Sequence, residues 1–307
     1  MPLSVTAPID QALRRTGTIL FRNFDASKWL KLGVCAFLAQ LGDCAGGNGT
    51  SAVSQQIEAR KGRPDFGRAG DWLSENLLAI VVIGAMVVLF VVALMLLLLW
   101  LQSRGRFMLL DGVVRDRGAV VRPWHEFRAQ ADSLFGFTLL LGLASGAISL
   151  LAVSLGVALG WGDLQAGRFS AGALLALVLG GGLLLVNGVV FGLIHLLTHD
   201  FVVPCMYARR CGALAAWRTV RQEILRRLPT TVALYVLMRI ALAILGTIAT
   251  WMLICGTGGA ACCLLMIPFV ATLVLLPLTV FNRCYSLAFL EQLGPTWTLG
   301  PAPEHTH

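Results

Sequence analysis

Two polar side chains sit where an apolar sequence tolerates them least. Arg239 lies about nine residues into the apolar stretch 230–255, and Asn187 lies eleven residues before the end of the stretch 171–198. A central arginine costs a spanning helix about 2.5–3.5 kcal/mol, whereas Leu, Ile and Val each return about 0.3–0.6. Residues 230–255 hold eleven of these three, so the helix survives its charge. Two readings of Arg239 stand: a polar site inside a bundle, or an arginine whose long stem carries its head back to the lipid headgroups. If 171–198 and 230–255 pack as antiparallel neighbours, Arg239 and Asn187 fall at similar depth. They are then expected to face each other or to share a polar pocket, as a small-solute transporter or channel requires.

Other reactive residue types are present without the spacing that chemistry needs. His195 and His199 share a helical face and Asp200, Cys205 and Cys211 follow, but Leu196 stands where a zinc-protease helix carries glutamate. The expectation is no metal. Ser145 sits in GLASG rather than G-x-S-x-G, and no histidine at that depth could activate it. Paired carboxylates, a phosphate loop and a dinucleotide fingerprint are all missing. No catalytic residue and no cofactor is therefore expected, and the chain reads as non-enzymatic. The eight cysteines form no C-x-x-C, and only Cys44 falls in a segment read as external, which argues against a disulfide framework.

The elements that must hold these residues are set by hydropathy. Leu77 to Leu101 runs 25 residues without a charge. As a helix it is about 37 Å long, enough to cross a hydrocarbon core of about 30 Å. Backbone polar groups find no water there, so the segment must be helical. The whole chain of 307 residues is 57% hydrophobic and 13% charged, with mean hydropathy +0.78. Soluble domains carry about 25% charged residues. The first fifteen residues lack the apolar core of a signal peptide.

The expected fold is all-α: a polytopic membrane protein of six transmembrane helices, at about 28–42, 77–101, 134–161, 171–198, 230–255 and 260–281. A single membrane domain would occupy 1–294, with an outside loop at 43–76 and a short tail at 295–307. Charge sets the count. Five Lys or Arg stand in the N-terminal segment up to Lys31, six follow the second span, six follow the fourth and one, Arg283, follows the sixth, against five on the opposite side. Basic residues mark cytoplasmic loops, which places both termini in the cytoplasm. The net charge of +8 is then a topology signal and not a sign of nucleic-acid binding. Trp29, Trp100, Trp124 and Trp217 fall near the inner interface and Trp72, Trp161 and Trp251 near the outer one, as an aromatic belt would.

Residues 9–24, 107–128 and 213–228 each read as an amphipathic helix in the cytoplasmic interface. With the hairpins that follow, they suggest three copies of one unit. Arg209, Arg210, Arg218, Arg221, Arg226 and Arg227 crowd around the third and are candidates to touch anionic lipid headgroups. The glycine pairs 142/146, 156/160 and 188/192 would let helices approach closely. Gly180–Gly182 could mark a broken helix. Pro268 and Pro277 are expected to kink the last span.

The segments Gly105-Arg106-Phe107-Met108-Leu109-Leu110-Asp111, Arg122-Pro123-Trp124-His125-Glu126-Phe127 and His199-Asp200-Phe201-Val202-Val203-Pro204 resemble those of an uncharacterised prokaryotic family of six-helix membrane proteins. That family is similar in layout to the membrane domain accompanying some glycerophosphodiester phosphodiesterases. The resemblance implies a bacterial inner membrane and no assigned activity, because the phosphodiesterase catalytic domain has no counterpart here. Membrane lipids are the expected partners.

Overall fold

A computed structural model of the protein describes residues 6–22, 25–43, 77–116, 118, 120–166, 170–257, 267–294 and 297. Within them every regular element is helical. In chain order these are α1 (Ala7–Gly17, continued by a wide turn Thr18–Arg22), α2 (Ala26–Asp43), α3 (Leu77–Val114), α4 (Val121–Glu126) and α5 (Arg128–Ala166). Then come α6 (Ala171–Arg209), α7 (Ala213–Val220, continued by Arg221–Leu225), α8 (Pro229–Gly256), α9 (Pro268–Val274) and α10 (Leu276–Glu291).

Among the described residues four helices are long and apolar enough to cross a membrane: α3, α5, α6 and α8. A fifth crossing exists only if the bent pair α9 and α10 is taken as one span. The described residues thus show four or five such helices where six are expected. The first expected span, 28–42, is the helix α2 of 18 residues. It does not run beside the apolar half of α3. A Cβ on Gly105 would stand 2.5 Å from the backbone of Leu38 and Ala39, and one on Gly118 would stand 3.1 Å from Lys28. The helix thus lies against the polar half of α3, beyond Leu101, where Leu32, Cys35, Ala36 and Ala39 are buried. The sixth expected span is also different. α9 and α10 meet at 59° around Leu275, two residues before Pro277, which has no N–H to continue the helix. Beyond the bend α10 enters the core, and every residue from Arg283 to Leu290 is buried. The first part of that span, 260–266, the outside loop except Asp43 and most of the tail lie outside the described residues.

The core sits at one end of the bundle. It gathers α1, α2, the second half of α3, the last turns of α6, the apolar face of α7 and nearly all of α10. Burying this much apolar side chain is the main favourable term that ordering these elements can draw on. Gln11 and Arg15 of α1 both donate to Glu291 at the end of α10, at 2.8 Å each. The N-terminal helix and the end of α10 therefore lie together at the core end. At the opposite end Asp163 of α5 accepts from the Ser170 hydroxyl and the Ala173 N–H, both at 2.6 Å, and so closes the α5–α6 hairpin.

Of the three glycine pairs only 156/160 works as a contact. Gly156 faces Gly180 and Gly160 faces Ala176, whereas a Cβ placed on Gly142, Gly146, Gly188 or Gly192 would meet no other described element within 4 Å. The glycine run does not break α6. Leu177–Gly181 forms one wide turn and the helix continues. The segment 107–128 is no single interfacial helix: residues 107–114 continue α3 into the core, and the short α4 follows at Val121–Glu126. The segment 213–228 keeps its amphipathic form, with Ala213, Ala216, Val220 and Ile224 buried.

Candidate functional site

The bundle's polar centre is built around Asp200, which is fully buried. A second wide turn, Thr198–Val202, places it there. In that turn the N–H of Val203 reaches back five residues to the carbonyl of Thr198. The same register would give the carbonyl of His199 the N–H of residue 204, and residue 204 is proline. Arg283 of α10 takes its place: its Nη1 donates to the His199 carbonyl at 2.7 Å. Wide turns of this kind recur at functional sites.

Asp200 collects two donors from α8. The Tyr235 hydroxyl donates to Oδ2 at 2.9 Å and Arg239 Nε donates to the same oxygen at 2.8 Å. Arg239 Nη1 donates to Asn282 Oδ1 at 2.6 Å. His199 Nδ1 lies 3.3 Å from Asp200 Oδ1. Beside this group Arg106 Nη2 is 3.0 Å from His195 Nε2. Arg106 and Arg283, at 1% and 2% exposure, are the largest fully buried side chains among the described residues. Arg106 and Arg239 are near enough for their charges to oppose that of Arg283.

A second polar layer lies nearer the end of the bundle. Asp111 is fully buried, accepts from the Tyr207 hydroxyl at 2.9 Å and pairs with Arg115 at 3.2 Å. Tyr207 stacks on Phe127, which stacks in turn on Phe107. Arg104 lies between the rings of Trp100 and Trp124, 4.3 and 4.9 Å from their centroids, and reaches Asp132 at 3.2 Å. At the rim Arg210 bonds Glu126, and Arg115 adds a contact at 3.5 Å. The hydrogen bond from Arg210 is the main reason that the Glu126 carboxyl titrates below its ordinary value.

Arg239 and Asn187 do not come together. Asn187 Nδ2 donates to the Ser145 carbonyl and hydroxyl at 3.2 and 3.1 Å and to the Ser149 hydroxyl at 2.9 Å, all on α5. The reason is helix length. The stretch read as ending at Thr198 continues to Arg209. Depth counted from the true end puts Asp200, not Asn187, level with Arg239. Asn187 is thirteen residues further along, or about 20 Å. The shared pocket that a transporter reading needs is therefore not formed. Nor does Arg239 reach for headgroups, since its head is bound to Asp200 and Asn282. His195 and His199 are engaged by Arg106 and Asp200 and do not converge.

Arg106, Arg283, Asn282 and Tyr235 are site residues that pattern reading passed over. Arg104, Arg106 and Arg283 look like loop charges, yet all three are buried. A signal for Arg283 was present: Cys284 to Leu290 after it is nearly all apolar, so the helix had not ended.

The six headgroup candidates divide. Arg209 pairs with Glu223 at 2.9 Å and Arg210 with Glu126. Arg218, Arg221, Arg226 and Arg227 are exposed on α7 and its end. Residues 3–276 match a family of unknown function (DUF7544). No curated protein and no solved structure matches the chain.

Proposed function

The chain belongs to this family of unknown function, a premise that transfers no activity, and we propose that it is a non-enzymatic integral membrane protein whose basic end engages anionic phospholipid headgroups. One observation carries this reading. Arg218, Arg221, Arg226 and Arg227 are exposed on an amphipathic helix that leads directly into α8, one of the membrane-length helices. Each basic residue held at a membrane surface adds about 1 kcal/mol of attraction to anionic lipid, so four act as a strong patch. The same charge bias supports a bacterial inner membrane with this end, and both termini, in the cytoplasm. A non-enzymatic role is supported by Asp111 and Asp200, whose oxygens are engaged by tyrosine and arginine donors. Likeness to the membrane domain of glycerophosphodiester phosphodiesterases rests on the three interfacial motifs alone.

The test uses the full chain in nanodiscs containing brominated phosphatidylglycerol or brominated phosphatidylcholine. Tryptophan quenching reports which lipid sits at the protein. The wild type is expected to prefer phosphatidylglycerol, and the preference should fall about tenfold in the variant with Arg218, Arg221, Arg226 and Arg227 all replaced by Gln, and also at high salt. Equal quenching by the two lipids in the wild type rejects the proposal.

A further inference from the structure

The centre of the bundle gathers three arginines. Arg239 is paired with the buried carboxylate of Asp200, and the charges of Arg106 and Arg239 both oppose that of Arg283. Arg283 is the least satisfied. Its Nη1 is spent on a backbone carbonyl, and its Nε and Nη2 are buried with no hydrogen-bond partner among the described residues. A buried guanidinium with open donors is strongly unfavourable unless an anion or another acceptor completes it. Arginine's planar fork matches two oxygens of a phosphate group. The cluster also reaches the surface, because the side chains of His199 and Arg239 keep 25% and 13% exposure.

We infer that Arg283, flanked by Arg106 and Arg239, is the binding site for a phosphate group, carried either by a free ion or by a lipid headgroup. Arg283 would supply the paired donors Nε and Nη2, and the other two arginines the balancing field. Asp200 would stay with Arg239 and Tyr235, holding the cluster in place. The site is separate from the exposed arginines of α7 and does not depend on them.

The experiment follows thermal unfolding of the delipidated full chain in neutral detergent. In one arm sodium phosphate replaces sodium chloride at constant ionic strength. In the other short-chain phosphatidylglycerol is added, with short-chain diacylglycerol as the control without phosphate. A saturable rise in Tm is expected in at least one arm. A rise with phosphate identifies the free ion as sufficient, and a rise with the lipid alone identifies the headgroup. In Arg283→Gln the apparent affinity should fall at least about tenfold in the responding arm. The variant without ligand should unfold no lower than the wild type, since an unsatisfied buried charge has been removed. The variant that neutralises the four α7 arginines should respond as the wild type does. If Arg283→Gln does not fold, Arg283→Lys and Arg106→Gln carry the comparison, each with weakened binding. No saturable response in either arm, or a response unchanged in the Arg283 and Arg106 variants, overturns the inference.

Discussion

Arg239 donates to Asp200 at 2.8 Å, and the two residues lie at equal depth, nine or ten residues in from the facing ends of α6 and α8. Asp200 has no exposure and also serves Tyr235, so the pair couples the α6 wide turn to α8 and, through Asn282, to α10.

Removing either charge leaves the other buried and uncompensated, which costs about 3–5 kcal/mol. Asp200→Asn and Arg239→Leu are each expected to lower the Tm of the detergent-solubilised protein sharply. The double replacement Asp200→Leu with Arg239→Met should recover much of the loss. A double-mutant cycle showing simple additivity would remove the pair from the account of stability.

Asn187 belongs to a different contact. Replacing it with Val removes three hydrogen bonds to Ser145 and Ser149. Polar contacts of this kind between apolar helices average about 0.6 kcal/mol, with a maximum of about 1.7. The loss measured by unfolding should fall in that range. Combined with Arg239→Leu it should add, because the sites share no partner. Strong coupling would contradict the separation described above.

Two glycines of α3 offer an internal comparison. Gly105→Ala drives a Cβ into the backbone of α2, with 2.5 Å to Ala39 N, and neither helix backbone can yield cheaply. A destabilisation of about 1–3 kcal/mol is expected. Gly84→Ala meets nothing within 4 Å and should leave stability unchanged or raise it by up to about 1 kcal/mol through helix propensity. Equal effects at the two positions would mean that α2 does not pack where it is seen.

Glu126 gives a pH signature. Its carboxyl is held below the ordinary value of 4.5, chiefly by Arg210 and further by the charges of Arg115 and Arg122. A carboxyl with a lowered folded-state pKa stabilises fully above its unfolded value and loses that contribution as pH falls through the folded value. Stability should therefore decline on acidification below about pH 4.5, and Glu126→Gln should flatten part of that decline. Matching acid profiles for Glu126→Gln and the wild type would assign the decline to other groups.

Much of this protein is legible in its letters. The uncharged run of α3, the amphipathic segment 213–228 and the bend near Pro277 follow from period, charge and a missing N–H. The buried cluster does not. Hydropathy marks where a helix stops being apolar, and not where it stops. α3 and α6 both run on past their apolar stretches, carrying Arg106 and Asp200 into a core made by distant segments. Arg104, Arg106 and Arg283 have the composition of loop charges, and only their tertiary neighbours reveal them as interior. The same extension gives α2 its partner: it packs on the continuation of α3, not on its apolar run.

The apolar half of α3 has a consequence for how the gene can vary. From Val81 to Leu97 every residue is exposed among the described residues. A helix with the same apolar surroundings on all sides has no preferred rotation, so its letters are interchangeable. Shuffling Val, Leu, Ile and Met within 81–97 should be silent, while a single exchange within 101–114 should not. One continuous helix thus joins a segment in which residue order carries no message to one in which almost every position is spelled out.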